Sequence, residues 1–210
     1  MTRAAIDRLH ALSLRVPVRV GATHVYLTAA AIETLFCDHY HLHERSRLGQ
    51  PRMYEADETV TLIGPRGHVG HVPVIGPPRP ENQVQVSSTD ALVLGIAPPV
   101  RKPGDLEGTP GILIKGPRAS LRLESGVIRT LRHVHMTPAD SEYVGVRDGD
   151  TLQALIRTRA SPVILRDVLV RVGRDSRREL HLDLDEANAL GLCSGDEVEV
   201  RKGGTAAVAI

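Results

Sequence analysis

Apolar and polar residues alternate with a period of two along much of this chain, in short runs set between glycines, prolines and other turn formers. ETVTLIGPRGHVGHVPVIGP (58–77), QVQVSS (83–88), ASLRLESGVIRTLRHVH (119–135) and RELHLDLD (178–185) are clear examples. Successive strand side chains leave opposite faces, so this alternation predicts β-strands with one face in a core. Pro65-Arg66-Gly67, Glu124-Ser125-Gly126 and Asp148-Gly149-Asp150 supply turns between them. Helical spacing is confined to four short stretches, 28–36, 88–95, 137–144 and 184–190. The balance predicts a mainly β fold of two small β-barrels capped by short α-helices, not a parallel sheet wrapped in long ones.

Internal repeats support two related halves. HVYLTAAAIETLF (24–36) is similar to HVHMTPADSEYVGV (133–146), with His24 over His133, Tyr26 over His135 and Thr28 over Thr137. A second echo links 88–96, 138–152 and 185–200, each a short helix ended by glycine. The expected division is one discontinuous barrel from 15–22 and 131–201, a second from 23–130, and an N-terminal extension over 1–14. The polar, weakly periodic stretch 37–57 is an inserted segment of the second barrel, and the tail 202–210 is loosely packed.

Composition removes several function classes. With 26 Lys+Arg against 25 Asp+Glu, the net charge of +1 offers no footprint for nucleic acid or an anionic membrane. An aromatic content of 2% argues against base stacking. No apolar run approaches the ~20 residues that span a bilayer. MTRAAIDRLHALSL is broken by Arg3, Asp7 and Arg8, so it lacks the apolar core of a secretory signal; its Ala5, Leu9 and Leu12 share a helical face that would pack on its own domain. Cys37 and Cys193 form no close pair, and the expected compartment is the reducing cytoplasm.

The candidate chemistry centres on His133-Val134-His135. On a strand, these two imidazoles share a face and can serve one metal ion. Thr137-Pro138 reads as a helix cap and first helical residue, which places the pair where a strand hands over to a helix. His181, between Glu179 and Asp183 on another alternating run, is the best third ligand. Three neutral imidazoles with an open position are a known zinc arrangement, and a neighbouring carboxylate can fix a histidine tautomer. His39, His41 and His43 also form a regular run, but in a polar loop where adventitious binding is the simpler reading. Arg79, among prolines at the end of an apolar run, is either a held phosphate or carboxylate contact or a solvated loop arginine. Gly108-Thr109-Pro110-Gly111 is a plain turn or a close backbone approach to a ligand.

Together, HVYLT, YEADETVTLIGPRG, VIGPPRPENQVQVSSTDALVLGI, GDLEGTPGI, SGVIRTLRHVHMTP and LHLDLDEANALG resemble the PduL-type phosphotransacylases, the phosphate propanoyltransferases of bacterial microcompartments. The resemblance runs from about Val18 to Val200. It implies two helix-capped β-barrels, a homodimer, a dinuclear site that is usually zinc, and acyl transfer between coenzyme A and phosphate. Carried onto this chain, it implies one metal position at His133, His135 and His181, and a phosphate-binding role for Arg79. At the other implied position His24 is kept, but Tyr26 and Gln85 stand where a histidine and a glutamate are expected. One zinc per chain is therefore expected, with coenzyme A and an acyl phosphate or phosphate as reactants. Two further readings remain open: a non-catalytic relative that binds coenzyme A or phosphate or acts as an assembly subunit, and a mononuclear zinc hydrolase. The N-terminal extension could dock to a microcompartment shell, with the free cytoplasm as the alternative location.

Overall fold

The structure is a computed structural model describing residues 12–157 and 162–203. Most of the N-terminal extension (1–11) and of the tail (204–210) lies outside the described residues. The chain forms two compact units. One is built from the described parts of Met1–Val20, Arg132–Leu182 and Glu186–Ile210, the other from Gly21–Leu131 and Asp183–Asp185.

The chain starts in the first unit with β1 (Ser13–Gly21). It then builds the second unit from β2 (His24–Tyr26), α1 (Ala29–Leu35), β3 (Glu44–Arg47), β4 (Tyr54–Ile63), β5 (His68–Gly76) and β6 (Gln83–Gln85). α2 (Ser88–Leu94), β7 (Val100–Arg101), β8 (Ile112–Lys115), β9 (Ser120–Leu123) and β10 (Val127–Thr130) complete it. The return comprises β11 (His133–Met136), α3 (Pro138–Val144), β12 (Thr151–Arg157), β13 (Pro162–Val172), β14 (Glu179–Asp183), α4 (Leu184–Leu190) and β15 (Glu197–Lys202). The mainly β class read from the alternation is therefore what the chain adopts.

In the first unit, six strands close a barrel in the order β1-β14-β11-β13-β12-β15, with β15 pairing back onto β1. Inward residues such as Val16, Val134, Met136, Leu152, Leu180 and Val200 fill it. The second unit is a curled sheet of order β7-β10-β6-β2-β5-β4-β8-β9, with β3 paired to β4 off that path. Its core gathers Val25, Leu27, Ile32, Leu62, Leu94 and Ile114. No helix among the described residues is long and apolar enough to cross a membrane.

The short helices start and stop on side-chain chemistry. Thr28, Ser87 and Thr137 each cap a helix by accepting the backbone N–H three residues on, satisfying a donor the helix leaves open. At α3, Asp140 reaches back to Thr137 and completes a capping box, with Pro138 at the first helical position. Gly95 and Gly145 end α2 and α3 in the left-handed conformation, which glycine adopts without a Cβ clash.

The stretch 37–57 carries more structure than its polar composition suggests: β3 lies within it, and β4 begins at Tyr54 with Ala56 fully buried. In the β4–β5 turn, the Gly64 N–H donates to Gly67 O at 2.9 Å. A Cβ at Gly64 would collide with the Leu94 carbonyl at the end of α2, and that backbone atom has little room to yield. Gly64→Ala is expected to cost about 1–3 kcal/mol of stability. In urea unfolding, a change below about 0.5 kcal/mol, the range of ordinary surface substitutions, would mean the close approach is unimportant.

Candidate active site

β11 lies between β13, its parallel partner, and β14, its antiparallel partner. The register sets His133 opposite His181 and His135 opposite Glu179. Alternation then separates the faces: Val134, Met136, Leu180 and Leu182 point into the barrel core, while His133, His135, Glu179 and His181 leave from the other side. The ring centroids lie 5.0 Å apart for His133 and His135, 4.8 Å for His133 and His181, and 4.9 Å for His135 and His181. One ligating atom from each residue lies within 4.8 Å of the others, and no other such group of three or more is found among the described residues.

The electrostatics suit a cation. Burial, followed by the charges of His181 and Arg171, pushes the His135 imidazole down to about 4, so it is neutral at pH 7 with a free lone pair. Burial would raise the Glu179 carboxyl, but the hydrogen bond with His181 and nearby positive groups bring it below its usual range. Glu179 Oε2 lies 2.8 Å from His181 Nε2. With the proton on Nε2, the carboxylate fixes the His181 tautomer and leaves Nδ1 as a donor. This set of three imidazoles fits a borderline divalent ion such as zinc.

The second unit repeats the local plan with different chemistry. β2 lies between β5, in parallel, and β6, antiparallel, with His24 opposite Gln85 and Tyr26 opposite Gln83. His24 thus stands where β11 has His133, Tyr26 where it has His135, and Gln85 and Gln83 where β14 has His181 and Glu179. Thr28 follows as a cap, as Thr137 does. The buried Gln85 accepts the Thr130 hydroxyl hydrogen bond, and Gln83 Oε1 accepts the Gly104 N–H at 2.7 Å. His24 Nδ1 lies 2.7 Å from the Ala22 carbonyl. A neutral amide, a phenol and one imidazole do not make a zinc donor set, so these residues do not fit a second ion.

Arg79 is exposed in the loop after β5, beyond the cis Gly76–Pro77 peptide. Its backbone N–H donates to Leu27 O at 2.8 Å, tying the loop to the residue that follows Tyr26. The guanidinium carbon lies 4.8 Å from the centroid of the Tyr26 ring.

The His39/His41/His43 run does not gather into a donor cluster. His43 Nδ1 lies 2.7 Å from Glu58 Oε1, and the Tyr40 hydroxyl donates to the same oxygen at 2.8 Å. The His43 backbone N–H reaches Oε2 at 3.1 Å. His43 and Tyr40 therefore anchor the loop to β4. The Glu58 anchor has one signal in the sequence, an acid at an inward position of an otherwise apolar alternation, Ala56, Glu58, Val60, Leu62. Likewise Thr109 is structural: its hydroxyl donates to Leu106 O and accepts the Gly126 N–H.

Burial would raise the Glu58 carboxyl, but the hydrogen bonds from His43 and Tyr40 outweigh it and hold the group below its usual range. Its stabilising contribution is complete above the ordinary glutamate value of about 4.3 and is lost as pH falls through the lowered folded value. The stability gap between wild type and Glu58→Gln should be widest near neutrality and close in acid. A gap that is constant with pH in urea unfolding would contradict this.

The fold and its histidine cluster define a class: a β-barrel protein with a three-imidazole donor set on the outer face of two paired strands. Sequence comparison supplies the family. The phosphate propanoyltransferase profile matches residues 17–193, and the chain belongs to this family of transferases. A phosphate propanoyltransferase of Thermotoga maritima is 49% identical over 87% of this chain and 87% of its own length. Those of Alkaliphilus metalliredigens and Salmonella typhimurium are 42% and 44% identical, over 87% and 84% of this chain and 86% and 83% of their own.

Proposed function

We propose that this protein moves a short acyl group between coenzyme A and inorganic phosphate, with one zinc-type ion held by His133, His135 and His181. The observation that carries the metal reading is the convergence of three imidazoles, one kept neutral by burial, in a chain of this family. When bound, the ion would supply a Lewis-acidic centre beside the reactants.

The chain's own residues supply binding and orientation. Glu179 holds the His181 ring and tautomer. Arg79 offers a planar fork of N–H donors that matches a phosphate oxygen pair and balances charge on the phosphate as it leaves or attacks. In the direction of acyl-CoA synthesis, the coenzyme A sulfur bonds to the acyl carbon, the carbon–oxygen bond to phosphate breaks, and the thiol proton passes through solvent to the departing inorganic phosphate. A cytoplasmic homodimer, either free or within a microcompartment, completes the proposal.

Zinc-loaded protein incubated with coenzyme A and propanoyl or acetyl phosphate should form acyl-CoA. Formation no faster than the uncatalysed background would overturn the proposal. Consumption of acyl phosphate without coenzyme A would instead indicate a zinc hydrolase.

A further inference from the structure

Tyr26 occupies a ligand position of the eroded donor set, yet its ring is engaged. It carries the Arg79 guanidinium at 4.8 Å from its centroid. We propose that Tyr26 is a positioning residue for phosphate, an aromatic platform that holds Arg79 with its N–H edge turned to the ligand. This rests on the reading of Arg79 as the phosphate contact.

Three observations support it. First, the guanidinium carbon lies over the Tyr26 ring, and a cation–π contact needs no N–H···O bond, so platform and anion do not compete for the same donors. Second, those donors are not consumed by a carboxylate: among the described residues, the hydrogen-bond acceptor of the Arg79 side chain is Met53 Sδ at 3.6 Å, a weak one. Third, platform and arginine share one frame, because the Arg79 N–H donates to Leu27 O, one residue beyond Tyr26. β2 is itself held by the β6 ladder, and two residues beyond Tyr26 the Thr28 N–H donates to Asn82 Oδ1 at 2.8 Å.

A long, exposed arginine without such support would lose more side-chain freedom on gripping phosphate. The platform restricts that freedom beforehand. A histidine at position 26 serving as a metal ligand would have its lone pair and orientation committed to the ion. The tyrosine here supports the arginine instead.

The test compares Tyr26→Leu, which removes the π face, with Tyr26→Phe, which keeps it, and uses Arg79→Ala as reference. Two quantities are measured on zinc-loaded full-length protein: the Kd for inorganic phosphate by phosphorus NMR titration, and the separate KM values for phosphate and propanoyl-CoA. Tyr26→Leu should raise the phosphate Kd and KM roughly two- to fivefold, the size expected of an exposed cation–π contact. The KM for propanoyl-CoA should stay unchanged, and Tyr26→Phe should behave as wild type. Wild-type phosphate affinity in Tyr26→Leu, or equal loss in Tyr26→Phe, would overturn the platform role while leaving the acyl-transfer proposal standing. Wild-type affinity in Arg79→Ala would show that Arg79 is not the phosphate contact and overturn both the platform and that assignment.

Discussion

His135→Ala should lose its metal and at least about a hundredfold in acyl-transfer rate. A bound Lewis acid is worth several kcal/mol of transition-state stabilisation, and each 1.36 kcal/mol is tenfold in rate. His135 lies on the outer face of β11, away from the apolar core formed by Val134 and Met136, so its loss should leave the barrel folded. The remaining two imidazoles would hold an ion weakly. Metal content and rate measured on the same folded preparation check this. A variant with full metal and wild-type turnover would remove the triad from the active site.

Leu180→Ala should destabilise the first unit by about 2–5 kcal/mol, the range for truncating a buried leucine. Leu180 has 0% exposure, lies opposite Val134 in the β11–β14 ladder, and sits directly behind the His133–His181 pair. A cavity there removes apolar contacts and loosens the register that sets one imidazole against the other. Metal affinity should therefore fall along with stability, although no ligand has changed. Denaturant unfolding and a metal competition titration measure the two effects. A loss under about 1 kcal/mol would show that the barrel interior collapses around the truncation.

The strand and helix grammar was readable because local physics dominates it. Alternation through Ala56, Glu58, Val60 and Leu62 marks β4, and Thr137-Pro138 followed by Gly145 marks both ends of α3. β2 is harder to read, since three residues are too few for alternation and its pairing is long-range, whereas β6 falls within the alternating run 83–88. The same limit applies around the donor sets. Two histidines two apart on a strand predict a shared face, but nothing local sets His133 opposite His181 or His24 opposite Gln85. Gln85 could be read only as a missing carboxylate; its hydrogen bond with Thr130 depends on β10 lying beside β6. Tyr26 under Arg79 depends on where a proline-rich loop returns to β2. Such contacts between distant stretches carry no sequence period.

Three imidazoles in one cluster and a degraded second donor set predict a single metal ion per chain. The most direct measurement is the metal content per chain of active protein never exposed to chelator. One equivalent is expected, falling to near zero in His135→Ala. Two equivalents in the wild type would contradict it: either the set of His24, Tyr26 and Gln85, whose chemistry does not fit zinc, or the His39/His41/His43 run would then be binding a second ion.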